Sequence, residues 1–176
     1  VFPFDVLVQM GTLIAVIIYF RKDLLAILIA WVQGLIHKEP FKDFNSRMGW
    51  YLILATIPAG LAGLFLKNLV EKAFGSPVAT AWFLFITAGL LLVAEYHGKR
   101  SRSLDKMNWK DALWIGCFQI LSLFPGVSRS GSTITGGMIR NLNRTDAGRF
   151  SFLMSIPVML AAGLLSLIDL AGSPDL

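Results

Sequence analysis

The sequence predicts an all-α fold: a polytopic integral membrane bundle of helices with a re-entrant helix hairpin, and it leaves an internal, inverted repeat open. Three observations carry this. Of the 176 residues, 55% are hydrophobic and 15% charged, whereas ordinary soluble domains carry about 25% charged residues. The apolar residues gather in long runs, and the mean hydropathy is +0.65. The net charge of +5 comes from basic residues placed in short segments between those runs, the distribution that sets the orientation of a membrane protein. The same distribution excludes a disordered chain and a nucleic-acid binder, whose basic residues would line a polar surface.

Runs at roughly 4–20, 50–66, 78–94 and 147–170 approach the ~20 residues that a helix needs to cross a ~30 Å hydrocarbon core. Two further stretches are short. The first, 24–36, ends in His37 and Lys38 and could be re-entrant, interfacial or buried. The second, 111–124, reaches only about 21 Å as a helix. The segment from Lys67 to Pro77 reads as a loop. Lys99, Arg100, Arg102, Lys106 and Lys110 face only Asp105 in one loop, which places that loop in the cytoplasm. His37 to Arg47 and Arg140 to Arg149 fall on the same side by alternation. The chain therefore leaves the cytoplasm near Lys110 and returns by Arg140, as a re-entrant hairpin does, with Phe124 to Thr133 at its tip. Such non-helical backbone is tolerated at membrane depth only where protein covers it or it lines a wet cavity. Leu54, Ile57, Pro58, Leu61 and Ala62 recur as Leu153, Ile156, Pro157, Leu160 and Ala161, an echo compatible with the internal repeats of transporters or with chance among Leu-rich helices. The chain opens on Val1 without an initiator Met or a signal-peptide layout and reads as a fragment of a longer protein.

The densest polar stretch outside the basic loops is Pro125-Gly126-Val127-Ser128-Arg129-Ser130-Gly131-Ser132-Thr133. Its residue types make an anion site. Pro125 ends one helix, the glycines permit close backbone approach, and hydroxyls with the amides of the next helix start can surround oxyanions. Arg129 adds a fixed charge whose planar fork matches phosphate oxygens. The spacing from Gly126 to Thr133 imitates a nucleotide phosphate loop, but Ser132 stands where that loop needs Lys and no strand precedes it, so the match is rejected. A Gly/Ser break that merely lets helices approach explains the small residues. On that reading Arg129 reaches a carbonyl or snorkels to headgroups, but an ionisable group deep in a membrane costs at least ~2.5 to 3.5 kcal/mol, which favours a functional site.

This segment is similar to the second signature, approximately P-G-x-S-R-S-G-x-T, of the undecaprenyl-diphosphate phosphatases, also called bacitracin-resistance proteins. Gln119-Ile120-Leu121, Arg149 to Leu153, Ser155-Ile156-Pro157 and Phe4 to Gly11 extend the resemblance over nearly the whole chain. It implies a multi-pass enzyme of the bacterial plasma membrane that hydrolyses a polyprenyl diphosphate to its monophosphate and recycles the lipid carrier for wall polymers. By the same resemblance Arg129, Ser128 and Thr133 lie in the catalytic pocket. Gly126, Ser130, Gly131 and Ser132 support the phosphates, and a divalent cation such as Mg²⁺ or Ca²⁺ takes part, with ligands unassigned. The family's first signature, with acidic residues and a Ser-Ser-Thr-Gly-His run, does not occur in these residues and is expected before Val1.

Other polar residues weigh less. Gln119 could reach the phosphate cavity or cap another helix. Asp5 and Gln9 share a helix face and read as packing groups, Glu95 as a solvated helix end, and His37 and His97 as loop histidines. Cys117 has neither a disulfide partner nor companion metal ligands. The competing function is a transporter or flippase that uses broken helices to bind an anionic lipid headgroup. A phosphatidic-acid type phosphatase is set aside because its Pro-Ser-Gly-His segment is absent. Oligomeric state is not read from the sequence.

Overall fold

The computed structural model describes residues 2–171. The side chains of residues 2–9, 97, 162 and 165–171 lie outside the described residues, and with them the expectations for Asp5, Gln9 and His97. Eight helices follow in order: α1 (Phe2–Tyr19), α2 (Arg21–Ile36), α3 (Phe44–Phe65), α4 (Lys67–Phe74), α5 (Pro77–His97), α6 (Trp109–Ile120), α7 (Arg129–Ile139) and α8 (Arg144–Ala171). Among the described residues no strand forms. The all-α expectation holds, and each of the four long apolar runs lies within one helix. Phe44–Phe65 and Pro77–Tyr96 are long and apolar enough to cross a membrane, and Met10–Tyr19 is a shorter apolar helix.

Local chemistry sets the helix starts. Asp43 accepts hydrogen bonds from the amides of Asn45 at 2.8 Å and Ser46 at 3.2 Å, and this cap starts α3 well before the apolar run begins at residue 50. Ser76 caps α5 with Pro77 in its first turn. Asn108 and Asp111 close a capping box at α6. Pro58 and Pro157 lie inside α3 and α8 without ending either helix.

Two expectations need correction. The loop from Lys67 to Pro77 is mostly helical: Lys67–Phe74 forms α4, because Leu69, Val70, Ala73 and Phe74 fall on helical spacing between the charged residues. The short apolar stretch 24–36 belongs to a 16-residue helix. That helix lies against α3, with Gly34 beside Ser46 and Gly49 beside Trp31, yet Leu28, Ile29 and Ile36 remain 55–70% exposed. Ile27 of the same stretch is buried in the core, so the stretch is partly buried among the described residues.

Small residues bring the helices together. Gly116 of α6 lies on the backbone of Ala55 in α3, where a Cβ would collide with the Ala55 carbonyl oxygen, and Gly136 of α7 receives Phe118. Close backbone approach of this kind drives association where solvent and side chains are equally apolar. Phe150, Leu153, Met154, Ile115 and Met48 fill the centre.

The basic segments following α2, α5 and α7 meet at one end of the molecule. Arg102 and the Asn141–Asn143 turn exchange backbone hydrogen bonds at 2.9 Å, the Leu104 amide donates to Asp146 at 2.9 Å, and Arg47 and Trp109 line one groove. Arg144 pairs with Glu95 at this end, so Glu95 is an ion-pair partner rather than a merely solvated terminus.

Candidate active site at the hairpin tip

The legs α6 and α7 run antiparallel, joined by a 3-10 turn at Leu121–Leu123 and the loop that follows it. Their open ends meet at Asp111. Its side chain is 0% exposed and receives Arg102 Nη2 at 2.7 Å and Arg140 Nε at 2.7 Å. Burial alone would raise the Asp111 carboxyl, but the hydrogen bonds from Arg102 and Arg140 outweigh it and hold the group below its ordinary range.

The opposite end of the hairpin is the signature loop. Gly126 has φ +88, a left-handed conformation for which glycine is suited, and a Cβ there would collide with the carbonyl oxygen of Thr80 in α5. The Ser128 amide donates to Thr87 Oγ1 at 3.2 Å, so α5 holds the loop at two points. Ser128 is the N-cap of α7, its hydroxyl accepting from the Gly131 amide at 3.1 Å and lying 3.4 Å from that of Ser130. Arg129 is the first helical residue. The sequence expectation of glycines, hydroxyls and a helix start around one arginine is thus met by Gly126, Ser128, Arg129, Ser130 and Gly131 together.

Two hydroxyls of the motif turn inward. Ser132 and Thr133 are both 0% exposed and donate to the Arg129 carbonyl at 3.0 and 2.8 Å. Thr133 also meets the Ser151 hydroxyl of α8 at 2.6 Å. They brace the turn that carries Arg129. Gln119 is 1% exposed, and neither atom of its amide has a hydrogen-bond partner among the described residues. Of its two options, capping another helix is not what this side chain does.

The half-buried guanidinium of Arg129 rests on a thioether, with Nη2 3.1 Å from Met159 Sδ in α8. Among the described residues no carboxylate forms an ion pair with it. At ~1.5 Å per residue, Met159 lies about 22 Å along α8 from Arg144, and Thr80 lies about 22 Å along α5 from Glu95. Thr87, which receives the Ser128 amide, lies only about 12 Å along α5 from Glu95, so the contacts of the loop span a range of distances from the Arg144–Glu95 pair.

Sequence reasoning missed Met159, Thr80, Thr87 and Ser151 as neighbours of the loop, and Asp111 as the ligand of two arginines. A signal existed for some of them. Thr80 and Thr87 recur at i and i+7 in an apolar helix, and Ser151, Ser155 and Met159 recur at i, i+4 and i+8, each set marking one face.

The family model for bacitracin resistance protein BacA matches residues 1–175. The undecaprenyl-diphosphatase 1 of Corynebacterium jeikeium is 46% identical over 166 residues, 94% of this chain and 59% of that protein. The undecaprenyl-diphosphatase of Myxococcus xanthus is 43% identical over 93% of this chain and 55% of its own length. That of Chloroherpeton thalassium is 44% identical over 94% and 61%. The chain thus spans somewhat more than half the length of these relatives. With a match over nearly every residue, the signature loop included, it belongs to the bacitracin resistance protein BacA family.

Proposed function

We propose that this chain supplies the phosphate-clamping part of a membrane phosphatase that hydrolyses undecaprenyl diphosphate to undecaprenyl phosphate and inorganic phosphate, recycling the lipid carrier for wall synthesis. The observation that carries this reading is Arg129: a guanidinium at the start of a capped helix, with no partner stronger than a thioether among the described residues. A thioether is a weak acceptor. An oxyanion would displace it without breaking an ion pair.

In the reaction a water oxygen bonds to the terminal phosphorus and the bond to the bridging oxygen breaks, leaving the isoprenoid monophosphate. Phosphoryl transfer is mostly positioning and charge stabilisation. Arg129 would hold the negative charge that builds on the diphosphate. The Ser128 and Ser130 hydroxyls and the first amides of α7 would receive its oxygens, and Gly126 would keep the loop against α5. Thr133 would act through the Arg129 carbonyl that it braces, and Ser132 and Gly131 would shape the same turn. Gln119 would offer its unpartnered amide to the polar interior beneath the loop. The base or nucleophile would come from residues of the kind the family's first signature holds. The described residues bring together no group of three His, Cys, Asp or Glu side chains. A cation in the reaction would therefore be held mainly by the phosphate oxygens and water.

We read α6 and α7 as a re-entrant hairpin of a multi-pass protein in the bacterial plasma membrane, its base cytoplasmic and its tip at membrane depth. The shared ion cluster at the base and the depth of the loop support this. The echoed Ile-Pro segments lie in α3 and α8, which both start at the basic end, so any repeat they record relates helices of one direction rather than an inverted pair.

Full-length protein carrying Arg129→Ala or Arg129→Lys, intact in detergent, should lose phosphate release from undecaprenyl diphosphate by about 10³-fold, the scale of an arginine that stabilises phosphoryl-transfer charge. Turnover near that of the unmodified enzyme would overturn the assignment. Movement of labelled polyprenyl phosphate across vesicles without phosphate release would favour the flippase.

A further inference from the structure

The signature loop stands where it does because of a contact at the other end of the hairpin. Asp111, in the first turn of α6, is fully enclosed and its two oxygens are saturated. Oδ2 accepts from Arg102 Nη2 at 2.7 Å and from the Asn108 amide at 3.0 Å. Oδ1 accepts from Arg140 Nε at 2.7 Å and from Arg102 Nη1 at 3.3 Å. Arg140 is the C-cap of α7, the helix whose first residue is Arg129. Arg102 also donates to the Arg140 carbonyl at 3.0 Å and the Lys106 carbonyl at 2.7 Å. One carboxylate therefore closes the start of the descending leg onto the end of the returning leg, and the preceding loop is tied into the same knot.

Between this knot and the tip the chain is stiff. α7 covers about 15 Å from its last residue to Arg129 at ~1.5 Å per residue, and Gly136 against Phe118 locks the legs midway. A hairpin of this kind transmits a shift of its base to its tip. Removing the carboxylate leaves two guanidinium groups side by side without the charge that neutralises them, and their repulsion loosens the closure of the base.

We propose that Asp111 is a positioning residue: acting through the hairpin, it fixes the height of Arg129 against the phosphate that is cleaved. This rests on the hydrolase reading given above. A misplacement of ~1 Å at a reacting centre, produced by a distant change, can cost about 10²-fold in rate.

The test uses the full-length protein. Asp111→Asn keeps the size of the side chain and an oxygen for the helix cap but removes the charge, and Arg140→Gln removes the partner. Each should lower kcat for undecaprenyl diphosphate by about 10-fold to 10²-fold with KM within about threefold, since every group of the clamp is kept. The double variant should lose no more than the worse single one, as expected for residues sharing one interaction. A purely stabilising pair would instead lower the melting temperature and leave kcat per folded enzyme unchanged, and that result would overturn the proposal.

A second readout needs no turnover. In a background with Cys117→Ala, Ser130→Cys should change its rate of reaction with a membrane-impermeant maleimide when Asp111→Asn is added. An unchanged rate together with unchanged kcat refutes the positioning role. If unmodified full-length protein released no phosphate, the hydrolase reading would fail, while the labelling rate would still decide whether Asp111 sets the position of the loop. Should Asp111→Asn not fold, Arg140→Lys keeps the charge and loses the Nε donor, and an intermediate fall in kcat with a changed labelling rate is then expected.

Discussion

The two ends of the α6/α7 hairpin treat arginine in opposite ways. At the base, Arg102 and Arg140 share a buried carboxylate whose oxygens are saturated with donors. At the tip, Arg129 reaches a buried methionine sulfur, and no ion pair involves it among the described residues. A buried carboxylate that is fully hydrogen-bonded fixes geometry, and removing a partner leaves its charge poorly compensated. A guanidinium held on a thioether retains its charge for something else. The base spends its electrostatics on holding the fold, whereas the proposed function has the tip keep them for a phosphate.

The comparison breaks most sharply when the tip is given what the base already has. Met159→Glu would set a carboxylate beside Arg129, where the two would pair in poor solvent and the oxyanion would meet a clamp already closed. Phosphate release should fall by about 10²-fold or more, the scale of losing one charge-stabilising donor. Met159→Leu, which keeps volume without the sulfur, should stay within about threefold, since swaps of this kind cost little in packing. Equal activity of the Glu and Leu variants would show that the tip guanidinium does not bind the substrate.

Next in size is the hold of α5 on the loop. Gly126→Ala places a Cβ against the Thr80 carbonyl in a backbone conformation that alanine rarely adopts. The loop must then lift from α5. Strain of about 1 to 3 kcal/mol should appear as a fall of about 10-fold to 10²-fold in kcat/KM, with the global melting temperature less affected, because the helix caps and the Asp111 knot are untouched. Normal kcat/KM would mean that the seat on Thr80 is irrelevant to the clamp.

What was legible in the sequence divides along the same line. The tip could be read as a local pattern because its residue types are scarce in an apolar chain and consecutive, so Gly126, Ser128 and Arg129 stood out as a capped helix start without a fold. The long helices could be read because the hydrocarbon core imposes a length. The base could not. Asp111 lies nine residues from Arg102 and 29 from Arg140, and counting charge loop by loop treats such groups as solvated rather than mutually neutralised. Met159, 30 residues from Arg129, looked like one more apolar residue of α8. The helix α4 was hidden because Lys67, Glu71 and Lys72 made its eight residues read as a polar loop, although their spacing places them on one side.

The smallest expected effect concerns the brace between the two ends. Ser151 meets Thr133 at 2.6 Å in a fully buried contact, and loss of a single interhelical hydrogen bond in a membrane protein costs about 0.6 kcal/mol on average. Ser151→Ala leaves the Thr133 hydroxyl a remaining acceptor, the Arg129 carbonyl at 2.8 Å, so no donor is stranded and the larger penalty for an unsatisfied group does not apply. A melting temperature lowered by only a few degrees is expected, with kcat within about threefold. A loss as large as that of Gly126→Ala would mean that Ser151 does more than brace. The Thr133–Ser151 contact would then belong to the clamp itself, and the division between a structural base and a chemical tip would have to be moved down the hairpin to the level of α8.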